Sequence, residues 1–248
     1  THGAKSMKSN LANIYGSPGS RVRFTAILKL FLPFLLIIFL IGLLIGNVTG
    51  KIMSSQMYYL VLIILIIFGA LMYDVSAKSF GAFLKGARGE EIVARELSML
   101  PSCWSIFHGV PTNGIRGTIS GTDFDHIIVG PAGIILVETK NWTGDVTVEA
   151  GSIKLNGISP SRSPIEQVRK EAKQLGHILE EYVDPDTYVH LIVAFASNTI
   201  NEEILKIDEV GICNARKLND YINSLPHYDN FTKEKQQLLI EQLARLSE

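Results

Sequence analysis

Asp123, Asp125, Glu138 and Lys140 are the side chains whose types and spacing could do chemistry. They stand at the outer ends of two β-branched, apolar runs, 123–129 and 134–140. Between the runs lies Gly130-Pro131-Ala132-Gly133, the composition of a short hairpin loop. With Val129 facing Ile134, pairing continues outward as Ile127 with Leu136, Asp125 with Glu138 and Asp123 with Lys140. Side chains alternate between faces along a strand, so positions 123, 125, 138 and 140 share one face. Three acids and one lysine therefore gather at the open end of the hairpin. Like charges directly opposite, with Cβ atoms ~5 Å apart, destabilise a sheet. Asp125 facing Glu138 thus calls for a raised pKa or a cation between the two, and a hard divalent ion suits converging carboxylates best. Solvated strand-end charges would be the bland alternative, but these strands are otherwise apolar on both faces, which belongs inside a domain.

The elements that must position this hairpin follow from periodicity. Ile92, Val93, Leu97 and Leu100 recur at helical spacing within 79–100, with Gly86 and Gly89 at the helix entrance, Glu90 in its first turn and Pro101 closing it. A first strand is expected over 104–110, then a glycine-rich loop, 112–121, holding Arg116. After the central hairpin come a smaller one, 145–149 with 152–155, and a helix over 165–182 carrying Gln167, Arg169, Lys170 and Lys173. The apolar run 188–197 has the composition of a buried strand. A short strand at 209–213 and helices over 215–224 and 232–247 complete the chain. This order predicts an α/β domain with a mixed central sheet and helices on both faces. His126 alternates away from Asp125, which favours a structural role, and the other histidines show no ligand spacing. No phosphate-cradling glycine loop and no G-x-S-x-G nucleophile elbow occurs, so nucleotide-driven transport and serine hydrolysis lack support.

The amino-terminal third has a different composition. Residues 30–50 contain no charge, nor do residues 52–73, and each stretch matches the ~20 apolar residues a membrane-crossing helix needs. Spans are expected at about 28–47 and 53–73. Lys5, Lys8, Arg21, Arg23 and Lys29 precede the first, and Lys78, Lys85 and Arg88 follow the second, whereas Lys51 alone lies between them. Both termini are therefore expected in the cytoplasm, in a multi-pass protein of the bacterial inner membrane. Gly42 and Gly46 form a G-x-x-x-G face on which the hairpin could meet a second copy or a membrane partner. The expected organisation is a flexible cytoplasmic tail, 1–26, a transmembrane hairpin, 27–78, and a cytoplasmic domain, 79–248. Although the whole chain carries a net charge of −1, residues beyond 80 hold 16 basic against 23 acidic side chains, a net −7. An acidic domain does not bind nucleic acid through a broad basic surface, although a local groove remains open. Cys103 and Cys213 form neither a disulfide framework nor a zinc motif.

Three segments together resemble the nuclease-related domain, NERD, of the PD-(D/E)XK nuclease superfamily. They are Gly86-x-x-Gly89-Glu90, Thr122-Asp-Phe-Asp125-His126, and Gly133-Ile-Ile-Leu-Val-Glu138-Thr-Lys140-Asn-Trp-x-Gly144. The resemblance covers roughly 82–200 and implies a restriction-endonuclease-like mixed sheet flanked by helices. It implies Asp125 and Glu138 as acids holding Mg²⁺ or Mn²⁺, Lys140 as the group that positions or activates water, and Glu90 as the acid completing the catalytic set. Gln167, with Arg116, would meet the substrate. Phe124 stands where the superfamily's name has proline, and no tryptophan follows the small hairpin near 153–155. Two functions stay open. One is a membrane-anchored, metal-dependent nuclease cutting DNA at the cytoplasmic face, by fold-level analogy foreign DNA. The other is a catalytically weak domain serving as a nucleic-acid or protein scaffold at the bilayer.

Overall fold

The structure, a computed structural model, describes residues 11–50, 54–112, 123–182, 189–197, 200, 204–228 and 230–247. It divides the chain into two bodies. One comprises Arg21–Gly86, the other Thr1–Ser20 together with Ala87–Glu248.

In chain order the elements are β1 (Asn13–Gly16), α1 (Ser20–Gly50), α2 (Ser55–Leu97), β2 (Ser105–Pro111), β3 (Asp123–Gly130), β4 (Gly133–Lys140), β5 (Val146–Glu149) and β6 (Ser152–Leu155). They continue with α3 (Pro164–Leu179), β7 (Val189–Phe195), β8 (Leu205–Ile207), β9 (Val210–Asn214), α4 (Leu218–Ser224) and α5 (Lys233–Ser247). Within Arg21–Gly86 lie the charge-free stretches. Among the described residues no helix is long and apolar enough to cross a membrane. Large apolar side chains nevertheless face outward there, among them Ile38 and Phe39 on α1 and Tyr59 and Ile66 on α2, each more than 60% exposed.

The second body is built on a seven-stranded mixed sheet in the order β1-β2-β3-β4-β7-β9-β8, with β5 and β6 as a separate hairpin. Alternation along its strands feeds two cores. Ile127, Val129, Ile134 and Leu136 pack with Val168 and Leu175 of α3 and Leu239 and Leu243 of α5. Ile128, Ile135 and Val137, on the opposite face, pack with Val93 and Leu97 of α2 and Leu218 and Ile222 of α4. Both faces of β3 and β4 are thus covered, as continuous apolar strands require. The result is the expected mixed sheet between helices.

Two sequence expectations are corrected and one strand is added. Residues 13–16, expected in a flexible tail, form an edge strand parallel to β2, with Asn13 beside Ser105 and Gly16 beside His108. Gly86 and Gly89 lie within α2 and not at its entrance. A Cβ on Gly89 would sit 2.6 Å from Asn141 Cβ, so glycine there permits close approach of the helix to the strand end. The strand β8, unforeseen, pairs antiparallel with β9.

A carboxylate site at the open end of the hairpin

The β3–β4 register follows turn chemistry. Gly130 pairs with Gly133, Val129 with Ile134 and Ile127 with Leu136, as the loop composition predicts. The ladder ends at His126 and Val137. On its other edge β4 pairs in parallel with β7 from Ile134 to Lys140, Glu138 beside Val193. Asp125 and Glu138 therefore do not form the cross-strand ladder pair expected. Instead the Thr139 N–H donates to Asp125 Oδ2 at 2.7 Å, bending the acid toward β4.

Helix α3 supplies the rest. Ser163 caps its start by accepting the Glu166 N–H, with Pro164 in the first turn, where proline's missing N–H costs nothing. Its apolar stripe, Ile165, Val168, Leu175 and Leu179, lies on the sheet, which carries Gln167 and Glu171 to the carboxylates. Lys140 Nζ donates to Glu138 Oε1 at 2.5 Å and to Gln167 Oε1 at 2.9 Å. Gln167 Nε2 donates to Glu138 Oε1 at 2.7 Å and to Glu171 Oε1 at 3.0 Å. Lys140 is thus engaged with Glu138 and Gln167, whereas the sequence register placed it opposite Asp123.

Glu90 enters from α2. The Gly19 N–H, at the end of the segment that begins with β1, donates to its Oε2 at 2.8 Å in a buried hydrogen bond. Gly19 has φ +66°, and a Cβ there would lie 2.9 Å from Ala87 Cβ, so glycine is needed for the backbone to reach the acid. Sequence reading assigned this segment no contact with the site. Arg116, expected near substrate, lies outside the described residues.

Electrostatics at this end run against stability. Burial raises the Asp125 carboxyl well above the usual carboxylate range, and Glu138 and Glu90 push it further, while the Thr139 N–H opposes them. Burial and the Glu138 charge push Glu171 up to about 8. Glu171 is 4% exposed and was not singled out by sequence, because a glutamate four residues after a glutamine on an amphipathic helix looks like an ordinary surface pair. Oε2 of Glu138 and Oε2 of Glu171 are buried without a hydrogen-bond partner among the described residues. Behind Asp125 on the opposite face, His126 Nδ1 and His108 Nδ1 lie 2.7 Å apart in one hydrogen bond. Burial lowers both pKa values, His108 to about 4, so the pair is a neutral structural contact.

Among the described residues no group of three or more His, Cys, Asp or Glu is placed to hold a metal ion. Asp125 and Glu138 are the side chains that could hold a divalent ion of the Mg²⁺ kind, which takes one or two carboxylates and fills its remaining positions with water or phosphate oxygen. The orphaned, buried Oε2 of Glu138 supports that fit.

The nuclease-related domain family, NERD, matches residues 85–196. A probable kinase of Streptomyces coelicolor, PglW, is 27% identical over 108 residues, 42% of this chain and 7% of its own length. An uncharacterized protein of Bacillus anthracis is 32% identical over 103 residues, 39% of this chain and 48% of its own. The match thus spans less than half the length of either relative. No solved structure matches.

Proposed function

From the nuclease-related domain at residues 85–196 as premise, we propose that this protein is a metal-dependent nuclease that hydrolyses phosphodiester bonds of DNA. The observation that carries the reading is the Asp125–Glu138–Lys140 constellation with a buried, unpartnered Glu138 oxygen. Carboxylates placed for stability would be solvated or fully paired.

Asp125 and Glu138 would hold Mg²⁺ or Mn²⁺. When bound, such an ion lowers the pKa of water and offsets charge developing on a phosphodiester. The chain's own residues do the remainder. The Thr139 N–H orients Asp125, and Glu138 with Gln167 fixes the Lys140 ammonium. From there the Lys140 ammonium would donate to the attacking water and direct it. Gln167, expected to meet substrate, instead serves this internal network. Glu90, held on α2 by the Gly19 N–H, adds a further negative charge near Asp125 for the ion to offset.

We also propose that Arg21–Gly86 anchors this domain to a bilayer through its two helices, with both termini in the cytoplasm. The support is exposed apolar surface, costing ~25 cal/mol per Å² in water, together with the basic residues outside the charge-free stretches. A reporter after Glu248 should read cytoplasmic and one at Ser54 external; a cytoplasmic reading at Ser54 removes the anchor. DNA entering across that membrane is the substrate this placement suits.

The test of the nuclease reading is cleavage of single- and double-stranded DNA and RNA by the full chain with Mg²⁺ or Mn²⁺. Lys140→Gln, which keeps a donor for Glu138, should lose at least ~100-fold in rate. No cleavage by the wild type with either ion would favour a scaffold that binds without cutting, a reading the net −7 charge of the acidic domain supports.

A further inference from the structure

The Gln167 side-chain amide sits between groups of opposite hydrogen-bonding character. Its oxygen accepts from the Lys140 ammonium, and its nitrogen donates one proton to Glu138 and one to Glu171. An ammonium can only donate and an ionised carboxylate can only accept. Turning the amide over would set its NH₂ against the ammonium and its oxygen against the Glu138 carboxylate, losing the hydrogen bonds to Lys140 and Glu138 at once. One orientation is therefore selected. Glu138 alone would occupy only one of the two amide protons; Glu171 takes the second and holds the amide from the α3 side. Its burial beside another carboxylate serves no packing purpose, since an apolar residue of like volume would fill the same space without the desolvation cost.

We propose that Glu171 is a positioning residue that locks the Gln167 amide and, through it, the Lys140 ammonium. The role of the lock in turnover rests on the nuclease reading; its geometry does not. Glu171→Met removes the acceptor at similar volume, whereas Glu171→Gln removes charge and keeps a carbonyl acceptor.

Two readouts on the 248-residue chain decide it. The first is the acylation rate of Lys140 by acetic anhydride, followed by peptide mass spectrometry. The second is the split between kcat and KM for DNA cleavage. In Glu171→Met, acylation of Lys140 should rise and kcat should fall, each about tenfold, the factor a lost hydrogen bond of ordinary strength supplies, with KM nearly unchanged. Glu171→Gln should restore both toward wild type. Unchanged acylation in Glu171→Met overturns the lock. So does a Glu171→Gln protein that behaves like Glu171→Met, because the charge and not the acceptor would then be acting. A wild type that cuts nothing would defeat the nuclease reading, while acylation would still decide the lock.

Discussion

The two ends of the β3–β4 hairpin are made from the same kind of strand and differ in almost everything else. At the closed end Val129, Ile134 and their neighbours are buried, ladder-paired and apolar on both faces. Within one strand length, at the open end, the ladder stops and Asp125, Glu138 and Glu171 crowd together with Lys140 and Gln167. The closed end obeys every rule that stabilises a sheet, and the open end breaks the rules on like charge and on buried polar satisfaction. Sites where local rules are broken are where function is expected to reside. The comparison teaches that the first end is a platform and the second is its cargo.

This division can be broken by mutation. The largest effect on stability should come from the platform: Ile127→Ala removes a fully buried side chain and should cost about 3 kcal/mol in denaturant melts. Its effect on catalysis should be no larger than the loss of folded protein explains. A specific loss of activity beyond that would blur the distinction between the ends.

The next effect belongs to the open end and depends on pH. Glu171 has a folded pKa raised to about 8, and Asp125 is raised in the same direction. A raised acid contributes stability that is fully present below its unfolded pKa and is lost as pH rises through the folded value. Without divalent ions the protein should therefore lose stability between about pH 4.5 and pH 8 through Glu171, on the order of 1–3 kcal/mol. Glu171→Gln should flatten that part of the profile in melts at pH 5 and pH 8.5. An identical slope in the variant would show that Glu171 is not the group responsible.

The smallest effect is expected away from both ends. Arg169 and Asp208 pair at 2.7 Å with both side chains well exposed, and an exposed ion pair contributes ~1 kcal/mol or less. Asp208→Ala should change the melting free energy by under ~1 kcal/mol and leave cleavage intact. A large loss of cleavage would place this pair within the functional surface.

The same contrast explains what was legible in the sequence. Register at the closed end could be derived because a Gly-Pro-Ala-Gly loop and strict alternation leave one pairing that buries Ile127, Val129, Ile134 and Leu136 together. Asp125, Glu138 and Lys140 could be placed on one face by the same alternation. How the strands part beyond His126 could not, because there Asp125 turns its carboxyl to the Thr139 N–H, a tertiary contact that leaves no mark on periodicity. Glu171 carried no signal, since only the tertiary position of α3 turns a helix-surface glutamate into a buried one. β1 was missed because four residues, largely exposed, have no periodicity to detect; its pairing is supplied by β2 and its end by the Gly19 contact with Glu90.

The central claim, that the open end gathers carboxylates for a cation, is tested most directly by melting the full chain with and without Mg²⁺ or Mn²⁺. Wild-type protein should gain stability with rising ion concentration, because an ion that binds only the folded state stabilises it by mass action. Asp125→Ala and Glu138→Ala should each lose that response. Their ion-free forms should melt no lower than wild type, through relief of like-charge repulsion. Ion-induced stabilisation that survives in both variants would contradict the account.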